Sequence, residues 1–173
     1  MRFLLAAMLL GCGAEAAPVP ESQPFTQVSD DVLRSQVQGA LQTAKASDRR
    51  VLLVFVADWC EDCHEVVRIL GEGPQTRREA GGYEIVYVDI GRRDRHLDWV
   101  NHYRVERIAT LVALDAEGQR IAQTTLEPIS TGRGLQDREL AAWLAQPRDA
   151  WSGGAAPPSD VPLFPPEILQ VDG

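Results

Sequence analysis

The sequence predicts an α/β fold in which a central mixed sheet is flanked by helices, formed by residues 29–146. Two apolar runs of strand length, residues 51–56 and 83–90, are separated by a helical pattern. The first run is hydrophobic on both faces, as a strand in the middle of a parallel sheet has to be. Because a strand, a helix and a strand at this spacing form a right-handed βαβ unit, we expect the two strands to be parallel.

A helix is predicted before the first strand. Ser29 can cap this helix, and Asp30 and Asp31 suit its first turn. The apolar residues that follow form one helical stripe: Val32, Leu33, Val37, Ala40, Leu41 and Ala44. We expect the helix to end at about Lys45, a few residues before the first strand.

The remaining elements follow the two apolar runs. The helix after the first run should break at residues 71–74, because proline cannot continue a helix. A helix further on should bury Leu97, Trp99 or Val100, and Tyr103. The elements predicted after the second run are a helix over 92–103, a strand over 108–114, a turn over 115–118, a strand over 119–125 and a helix over 136–145.

The sequence Trp59-Cys60-Glu61-Asp62-Cys63 lies between the first strand and its helix. A strand that leads directly into Cys-x-x-Cys on the first turn of a helix places the leading sulfur at the positive end of the helix dipole, where a thiolate is favoured. The second sulfur lies about one helical turn further on, close enough to form a disulfide. The spacing therefore predicts a dithiol redox centre made by Cys60 and Cys63.

Charge and cysteine count narrow the range of functions. The chain has 25 acidic and 17 basic residues and a formal net charge of −8, so nucleic acid is not expected as a partner. Besides the Cys-x-x-Cys pair, the chain has one further cysteine, Cys12, near its N-terminus. If Cys12 is lipidated or removed, no odd thiol remains, as expected in an oxidising compartment.

The N-terminus has the pattern of an export signal. Residues 3–10 are apolar and follow Arg2, forming a run too short to span a bilayer but long enough for the core of a signal peptide. Residues 9–12, Leu-Leu-Gly-Cys, resemble the bacterial lipoprotein box. This resemblance implies a signal peptide over residues 1–11 and lipidation of Cys12.

Two alternatives to lipidation stay open. Plain secretion would cleave the chain after Ala16, at a small-residue pattern. A buried apolar N-terminal helix is the other alternative, and Gly11 and Gly13 argue against it.

Both ends of the chain are predicted to lie outside the domain. Residues 12–28 have no sustained period and predict a tether that holds the domain off the membrane, with 25–28 as a candidate short edge strand. Residues 147–173 are rich in proline and predict a tail that is disordered or lies along the domain.

The order of these elements around Trp-Cys-x-x-Cys resembles the thioredoxin fold over about residues 29–145. The chain is most similar to the exported bacterial branch of the thioredoxin-like family. Residues 87–91, Tyr-Val-Asp-Ile-Gly, the helix over 97–103, and residues 111–118, Leu-Val-Ala-Leu-Asp-Ala-Glu-Gly, have the same kinds of residues as that branch.

The resemblance implies a thiol-disulfide oxidoreductase on the periplasmic side of the bacterial envelope. Cys60 would be the exposed nucleophile that attacks a substrate disulfide, Cys63 would displace the reduced product, and Trp59 would flank the pair. The implied partners are disulfide-bearing envelope proteins, an upstream reductant and the membrane through the lipid anchor. We expect a monomer that needs no cofactor and no metal.

Charged neighbours of the two sulfurs predict the direction of exchange. Four carboxylates disfavour a thiolate: those of Asp58, Glu61, Asp62 and Glu65. The helix dipole and a positive charge on His64 favour it. We expect the carboxylates to make the centre a reductant or an isomerase rather than a strong oxidant.

The sequence departs from the thioredoxin family at two positions. The family's cis-proline falls on Ala109, within Ile108-Ala109-Thr110. A cis bond before a residue other than proline costs about 3–4 kcal/mol, so we expect a trans bond or a strained loop here. Either would alter the surface along Ala109 and Thr110 on which substrates dock in the family. The family's buried acid falls on Val54, so resolution by Cys63 should be slower or should use another base, for which His64 and Asp58 are the candidates.

Three other functions are compatible with the motif. Residues 60–64 form Cys-x-x-Cys-His, the attachment motif of c-type haem. Both methionines of the chain lie in the signal, so the second haem ligand would be His96 or His102, which we otherwise expect at the surface or on a helix face. Cys60, Cys63 and His64 could also capture a metal ion. The third alternative is a non-catalytic thioredoxin-like module that binds a partner.

Overall fold

The computed structural model describes residues 20–132 and 134–150 of the chain. The predicted signal peptide, Cys12 and the Pro-rich tail after residue 150 lie outside the described residues. The elements in chain order are α1 (Asp30–Ser47), β1 (Arg50–Val56), α2 (Glu61–Glu72), α3 (Pro74–Ala80), β2 (Tyr83–Asp89), α4 (Leu97–His102), β3 (Thr110–Leu114), β4 (Arg120–Thr125) and α5 (Asp137–Ala145).

The four strands form one mixed sheet in the order β2-β1-β3-β4. β1 and β2 are parallel, with Arg50 opposite Tyr83 and Val56 opposite Asp89. β3 is antiparallel to both β1 and β4, and the β3–β4 hairpin turns at Asp115, whose carbonyl accepts from the Gly118 N–H at 3.0 Å. The predicted mixed sheet and the parallel βαβ unit are both confirmed.

β1 lies at the centre of the hydrophobic core. Every residue from Val51 to Val56 is fully buried, because β1 has a strand on each side and helices cover the sheet. Residues of α1, α2 and α5 complete the core: Leu33, Val37, Val66, Ile69, Leu140 and Leu144. β1 ends at Val56, shortly before Cys60, so this buried strand positions the redox motif.

The predicted start of α1 is confirmed. The Ser29 hydroxyl oxygen accepts a hydrogen bond from the Val32 N–H at 3.3 Å, and Asp30 and Asp31 occupy the first turn. The helix ends at Ser47, two residues later than expected, where Asp48 adopts a left-handed backbone with φ 52°.

Two helices differ from the sequence prediction. α3 was not predicted, although Pro74 stands at its start, where a missing N–H costs no hydrogen bond. α4 begins at Leu97 instead of residue 92, because Arg93 and His96 have left-handed backbones that end any helical run. Trp99 is buried in α4 as expected, whereas Leu97 is 48% exposed.

His96 is not at the surface, and that expectation was wrong. Its side chain is 2% exposed, and Nδ1 lies 2.5 Å from Asp30 Oδ1 at the start of α1. The contact joins the start of α4 to the start of α1, a long-range pairing that sequence periodicity does not encode.

The described part of the predicted tether, residues 20–28, lies against the domain. The Gln36 side-chain amide donates to the Pro20 carbonyl at 3.0 Å, and the Tyr87 N–H donates to the Ser22 hydroxyl oxygen at 2.8 Å. No strand forms over residues 25–28. In the described part of the chain, no helix is both long and apolar enough to cross a membrane.

Candidate active site

A tight turn connects β1 to α2 and positions Cys60. The Cys60 N–H donates to the Ala57 carbonyl at 3.1 Å, and Cys60 then caps α2 with an extended backbone. Its sulfur accepts from the Cys63 N–H at 3.1 Å. The leading sulfur therefore lies at the N-terminus of α2, as predicted from the strand–motif–helix order.

Cys60 and Cys63 form a disulfide, with their Cα atoms 5.2 Å apart. Cys63 is fully buried, whereas Cys60 is 7% exposed. Cys60 is thus the more accessible of the two cysteines, which is the order that an attacking and a resolving cysteine require.

An open cleft of about 460 Å³ lies beside Cys60. One side of the cleft is formed by residues around the start of α2, namely Trp59, Cys60, Glu61 and Asp62. The other lining residues are Arg93, Arg107, Ile108, Thr125, Leu126 and Glu127. An external disulfide has a path to Cys60 through this cleft, while the fully buried Cys63 does not line it.

The peptide bond between Ile108 and Ala109 is cis, so the expectation of a trans bond was wrong. The free-energy cost used for that expectation is the cost in an isolated peptide, whereas this peptide bond is surrounded by tertiary contacts. Ala109 is 1% exposed, and Thr110 begins β3 between Phe55 of β1 and Thr125 of β4. Ile108 lines the cleft, while Ala109 and Thr110 are buried beneath it.

Trp59 is fixed by one hydrogen bond and remains largely exposed. Its indole N–H donates to the Gly91 carbonyl at 2.7 Å, and the residue is 54% exposed. Trp59 lines the cleft of Cys60 and also a second cleft of about 430 Å³ that includes Phe25 and Asp58. The indole therefore lines both clefts, and its hydrogen bond to Gly91 fixes its position.

The four carboxylates predicted near the sulfurs do not share one environment. Glu61 and Asp62 are exposed in the first turn of α2. Glu65 instead accepts two hydrogen bonds from Arg68, at 2.7 and 3.0 Å, and these bonds lower the pKa of Glu65. Because Arg68 balances Glu65, the repulsion on a thiolate comes from Asp58, Glu61 and Asp62.

His64 lies in an ordered contact beside the motif. Its Nε2 is 2.6 Å from the Asp58 carbonyl oxygen and 3.8 Å from Asp58 Oδ1. Since a carbonyl only accepts, Nε2 carries a proton. The imidazole also stacks on Phe25, with ring centroids 4.3 Å apart.

This geometry bears on the metal and haem alternatives. The two sulfurs are bonded to each other, and His64 uses Nε2 for the Asp58 carbonyl. Over residues 20–132 and 134–150, no group of three or more His, Cys, Asp or Glu residues is arranged to hold a metal ion. The arrangement present is that of a dithiol–disulfide couple.

Val54 is fully buried between Tyr87 of β2 and Leu111 of β3. No carboxyl group therefore stands where the thioredoxin family has its buried acid. The alternative bases Asp58 and His64 are exposed, with 86% and 50% of their side chains accessible.

Sequence reasoning missed several residues that shape the site. Phe25, Gly91, Arg93, Arg107 and Leu126 reach the site from loops, outside the observed helices and strands. Their contacts join distant parts of the chain, so local periodicity has no signal for them. Gly91 and Arg93 have left-handed backbones in the turn after β2. Of these two residues, only the glycine indicates such a turn in the sequence.

Comparisons with known proteins agree with this geometry. A family model described as thioredoxin-like matches residues 32–116. The thiol:disulfide interchange protein DsbD of Vibrio cholerae is 25% identical over 108 residues, which cover 61% of this chain and 18% of that protein. The thiol:disulfide interchange protein TxlA homolog of Synechocystis is 33% identical over 101 residues, covering 57% of this chain and 54% of that protein. The matched part of the chain thus spans about half or less of the length of these relatives.

Solved structures extend the likeness to three dimensions. The crystal structure of a disulphide isomerase from Xylella fastidiosa matches with a TM-score of 0.61 and 26% identity, covering 71% of this chain and 95% of that one. The oxidised C-terminal domain of DsbD from Neisseria meningitidis matches with a TM-score of 0.51 and 18% identity, over 71% of this chain and all of that one, which supports the fold alone. With its mixed four-stranded sheet and a Cys-x-x-Cys disulfide at a helix N-terminus, the chain contains a domain of the thioredoxin-like family, matched over residues 32–116.

Proposed function

We propose that this protein is a thiol-disulfide oxidoreductase that reduces or exchanges protein disulfides through Cys60 and Cys63. The observation that carries the proposal is the disulfide at the N-terminus of α2, in which Cys60 alone lines an open cleft. The relatives named thiol:disulfide interchange proteins support the same reaction class.

The reaction begins from the reduced pair. The Cys60 thiolate attacks one sulfur of a substrate disulfide, whose S–S bond breaks as the mixed disulfide forms and whose other sulfur leaves as a thiolate that takes a proton. The Cys63 thiol then loses its proton and attacks Cys60 Sγ, which releases the second substrate sulfur. Two electrons pass from the dithiol to the substrate, and an upstream reductant has to restore the pair.

The site stabilises the attacking thiolate with backbone groups. The Cys63 N–H already points at Cys60 Sγ, and the remaining free N–H groups of the first turn of α2 add their dipole. Glu61 and Asp62 oppose this effect. The balance favours a reductant or an isomerase over a strong oxidant, because a strong oxidant needs a highly stabilised reduced form.

The cleft fits an extended protein segment that carries a disulfide. Trp59, Ile108 and Leu126 supply apolar surface, while Arg93 and Arg107 line the same cleft as the acidic start of α2. Arg107 is paired with Glu127, and Arg93 donates to the Glu106 carbonyl at 2.8 Å. Both arginines are therefore held in place at the rim.

We place this activity on the periplasmic side of the bacterial envelope, with Cys12 as a lipid anchor and disulfide-bearing envelope proteins as substrates. The lipoprotein-type box at residues 9–12 supports this placement. Incorporation of labelled palmitate in a bacterial host should occur in the wild type and be lost in Cys12→Ser. Labelling that persists in the variant would contradict the anchor.

Trapping of mixed disulfides tests the assigned cysteine roles. Cys63→Ser should accumulate covalent adducts with substrate proteins through Cys60, and Cys60→Ser should accumulate none, when each is expressed in the host envelope and resolved on non-reducing gels. Equal trapping by the two variants, or no adduct with Cys63→Ser, would contradict the roles.

The second candidate is a binding module whose disulfide is structural. The low exposure of Cys60, at 7%, and the buried Val54 in place of an acid favour it. A structural disulfide should resist reduction and support the fold. Insulin reduction that turns over with dithiothreitol, together with an unchanged far-ultraviolet spectrum of the reduced protein, would exclude this candidate.

A further inference from the structure

The segment of residues 20–28, here called the N-terminal strap, passes directly beside the redox motif. It is attached to the domain by the Gln36–Pro20 and Tyr87–Ser22 hydrogen bonds, at 3.0 and 2.8 Å. A third attachment is the stack of Phe25 on His64, the residue that follows Cys63. The strap therefore contacts the helix that carries the disulfide.

Phe25 adopts an unusual backbone conformation to make this contact. Its φ is 56°, in the left-handed region that favours glycine and costs energy for a bulky residue. Its ring lies 4.3 Å from the imidazole of His64 at an interplanar angle of 29°, and it also packs against the hydrophobic core. Backbone strain of this kind is maintained where surrounding contacts require it, and it concentrates at functional sites.

The stack and a hydrogen bond together orient His64. His64 is the fourth residue of α2, yet its Nε2 reaches back to the Asp58 carbonyl at 2.6 Å, and Asp58 lies two residues before Cys60. The imidazole thus runs along the first turn of α2, at the same end of the helix as Cys60 Sγ. Arg68, one turn later, is engaged by Glu65 at 2.7 Å and Glu72 at 3.6 Å.

We propose that Phe25 is a positioning residue of the redox site, which holds the His64 imidazole beside the first turn of α2 so that the imidazole stabilises the reduced, thiolate form of the Cys60–Cys63 pair. The Nε2–H group faces Asp58, whose Oδ1 lies 3.8 Å away, and offsets part of the repulsion that this carboxylate exerts on a thiolate. Stabilising the reduced form makes a disulfide easier to reduce. The inference rests on the proposed function only in taking this pair as the reacting group.

The equilibrium of the full chain with reduced and oxidised glutathione tests the proposal. His64→Gln should shift the equilibrium constant toward the disulfide by about two- to fivefold, the range expected for an electrostatic contact near a helix N-terminus. Phe25→Ala should shift it in the same direction, and the double variant should shift it no further than His64→Gln alone, because Phe25 acts through His64.

Matched variants separate positioning from packing. Phe25→Tyr keeps the aromatic stack and should retain the wild-type constant. Phe25→Leu keeps an apolar side chain without the aromatic face and should behave like Phe25→Ala, so the test stands even if the alanine variant folds poorly. Val28→Ala trims another partly buried residue of the same strap and should leave the constant unchanged.

Several results would overturn the proposal. These are an unchanged constant in His64→Gln, additive effects of the Phe25→Ala and His64→Gln changes, or equal shifts in Phe25→Leu and Val28→Ala. The glutathione equilibrium does not require a protein substrate. A chain that equilibrates with glutathione but reduces no protein disulfide would therefore contradict the proposed function and leave the role of Phe25 intact.

Discussion

The helices α2 and α3 start in opposite ways, although each presents backbone N–H groups at its N-terminus. At α3, the N–H groups of Gln75 and Thr76 donate to the carboxylate of Asp137 at 3.1 and 2.8 Å. At α2, the Cys63 N–H donates to Cys60 Sγ at 3.1 Å. One helix is capped by a carboxylate from α5, and the other is capped by its own reactive sulfur.

This difference separates a structural use of the helix dipole from a chemical one. The carboxylate of Asp137 is an anion at neutral pH, whatever the redox state of the protein, and it fixes α3 on α5. The sulfur of Cys60 becomes an anion only when the disulfide is reduced. The same electrostatic feature therefore stabilises the fold at α3 and the reduced state of the redox pair at α2.

The largest expected effect comes from removing the sulfur cap of α2. Cys60→Ser and Cys63→Ser should each reduce the rate of insulin reduction to that of dithiothreitol alone, because disulfide exchange needs both sulfurs. The rate is measured by turbidity of the precipitating insulin chains. Cys12→Ser is the matched control and should retain the activity, whereas residual turnover in Cys60→Ser would contradict its role as the nucleophile.

Adding a carboxylate close to α2 tests whether the sulfur site gains from an acid. Val54→Asp should destabilise the fold by about 2–4 kcal/mol because Val54 is fully buried. The thioredoxin family's acid at this position implies faster release of substrate from the Cys60 mixed disulfide, which quenched-flow measurements follow. Val54→Asn should lose similar stability without faster release. Equal release rates in the two variants would contradict a base role.

Removing the carboxylate cap of α3 should lower stability and leave redox chemistry unchanged. Burial alone would raise the pKa of Asp137, but the Thr76 and Gln75 N–H groups lower it below its usual 3.8. A lowered pKa means that Asp137 contributes stability above about pH 4 and loses it as the pH falls through its folded value. Asp137→Asn should therefore lower the urea midpoint at pH 7, and its difference from the wild type should shrink as the pH falls below about 4.

The control for this experiment is the glutathione equilibrium, which Asp137→Asn should leave unchanged. A stability difference between Asp137→Asn and the wild type that stays constant from pH 7 to pH 3 would contradict the charge argument. It would indicate that the side chain acts through packing or neutral hydrogen bonds alone.

The smallest effect is expected from the exposed acids in the first turn of α2. The double change Glu61→Gln and Asp62→Asn removes two charges that oppose the thiolate, so the glutathione equilibrium should shift toward the dithiol by about two- to fivefold. Glu72→Gln, at the other end of α2, is the matched control. An equal shift in that control would show that total charge, rather than charge beside the sulfur, is responsible.

Local patterns were sufficient for the elements that carry the redox pair. The apolar run of β1, the stripe and cap of α1 and the strand–motif–helix order around Cys60 depend on residues that are neighbours in sequence. Side-chain periodicity and the helix dipole act over one or two turns, so the sequence expresses them directly. The parallel pairing of β1 and β2 was also predictable from the sequence, because a strand, a helix and a strand at this spacing form a right-handed βαβ unit with parallel strands.

Contacts between distant segments decided what the sequence alone left open or predicted wrongly. Three features depend on contacts between separate elements: the cis bond before Ala109, the burial of His96 against Asp30, and the stack of Phe25 on His64. Each needs two parts of the chain to meet in space, and no local period records that meeting. The amino-acid pattern determined that two sulfurs stand at the start of a helix. Tertiary packing decided which groups surround them, because only the folded core brings those groups together.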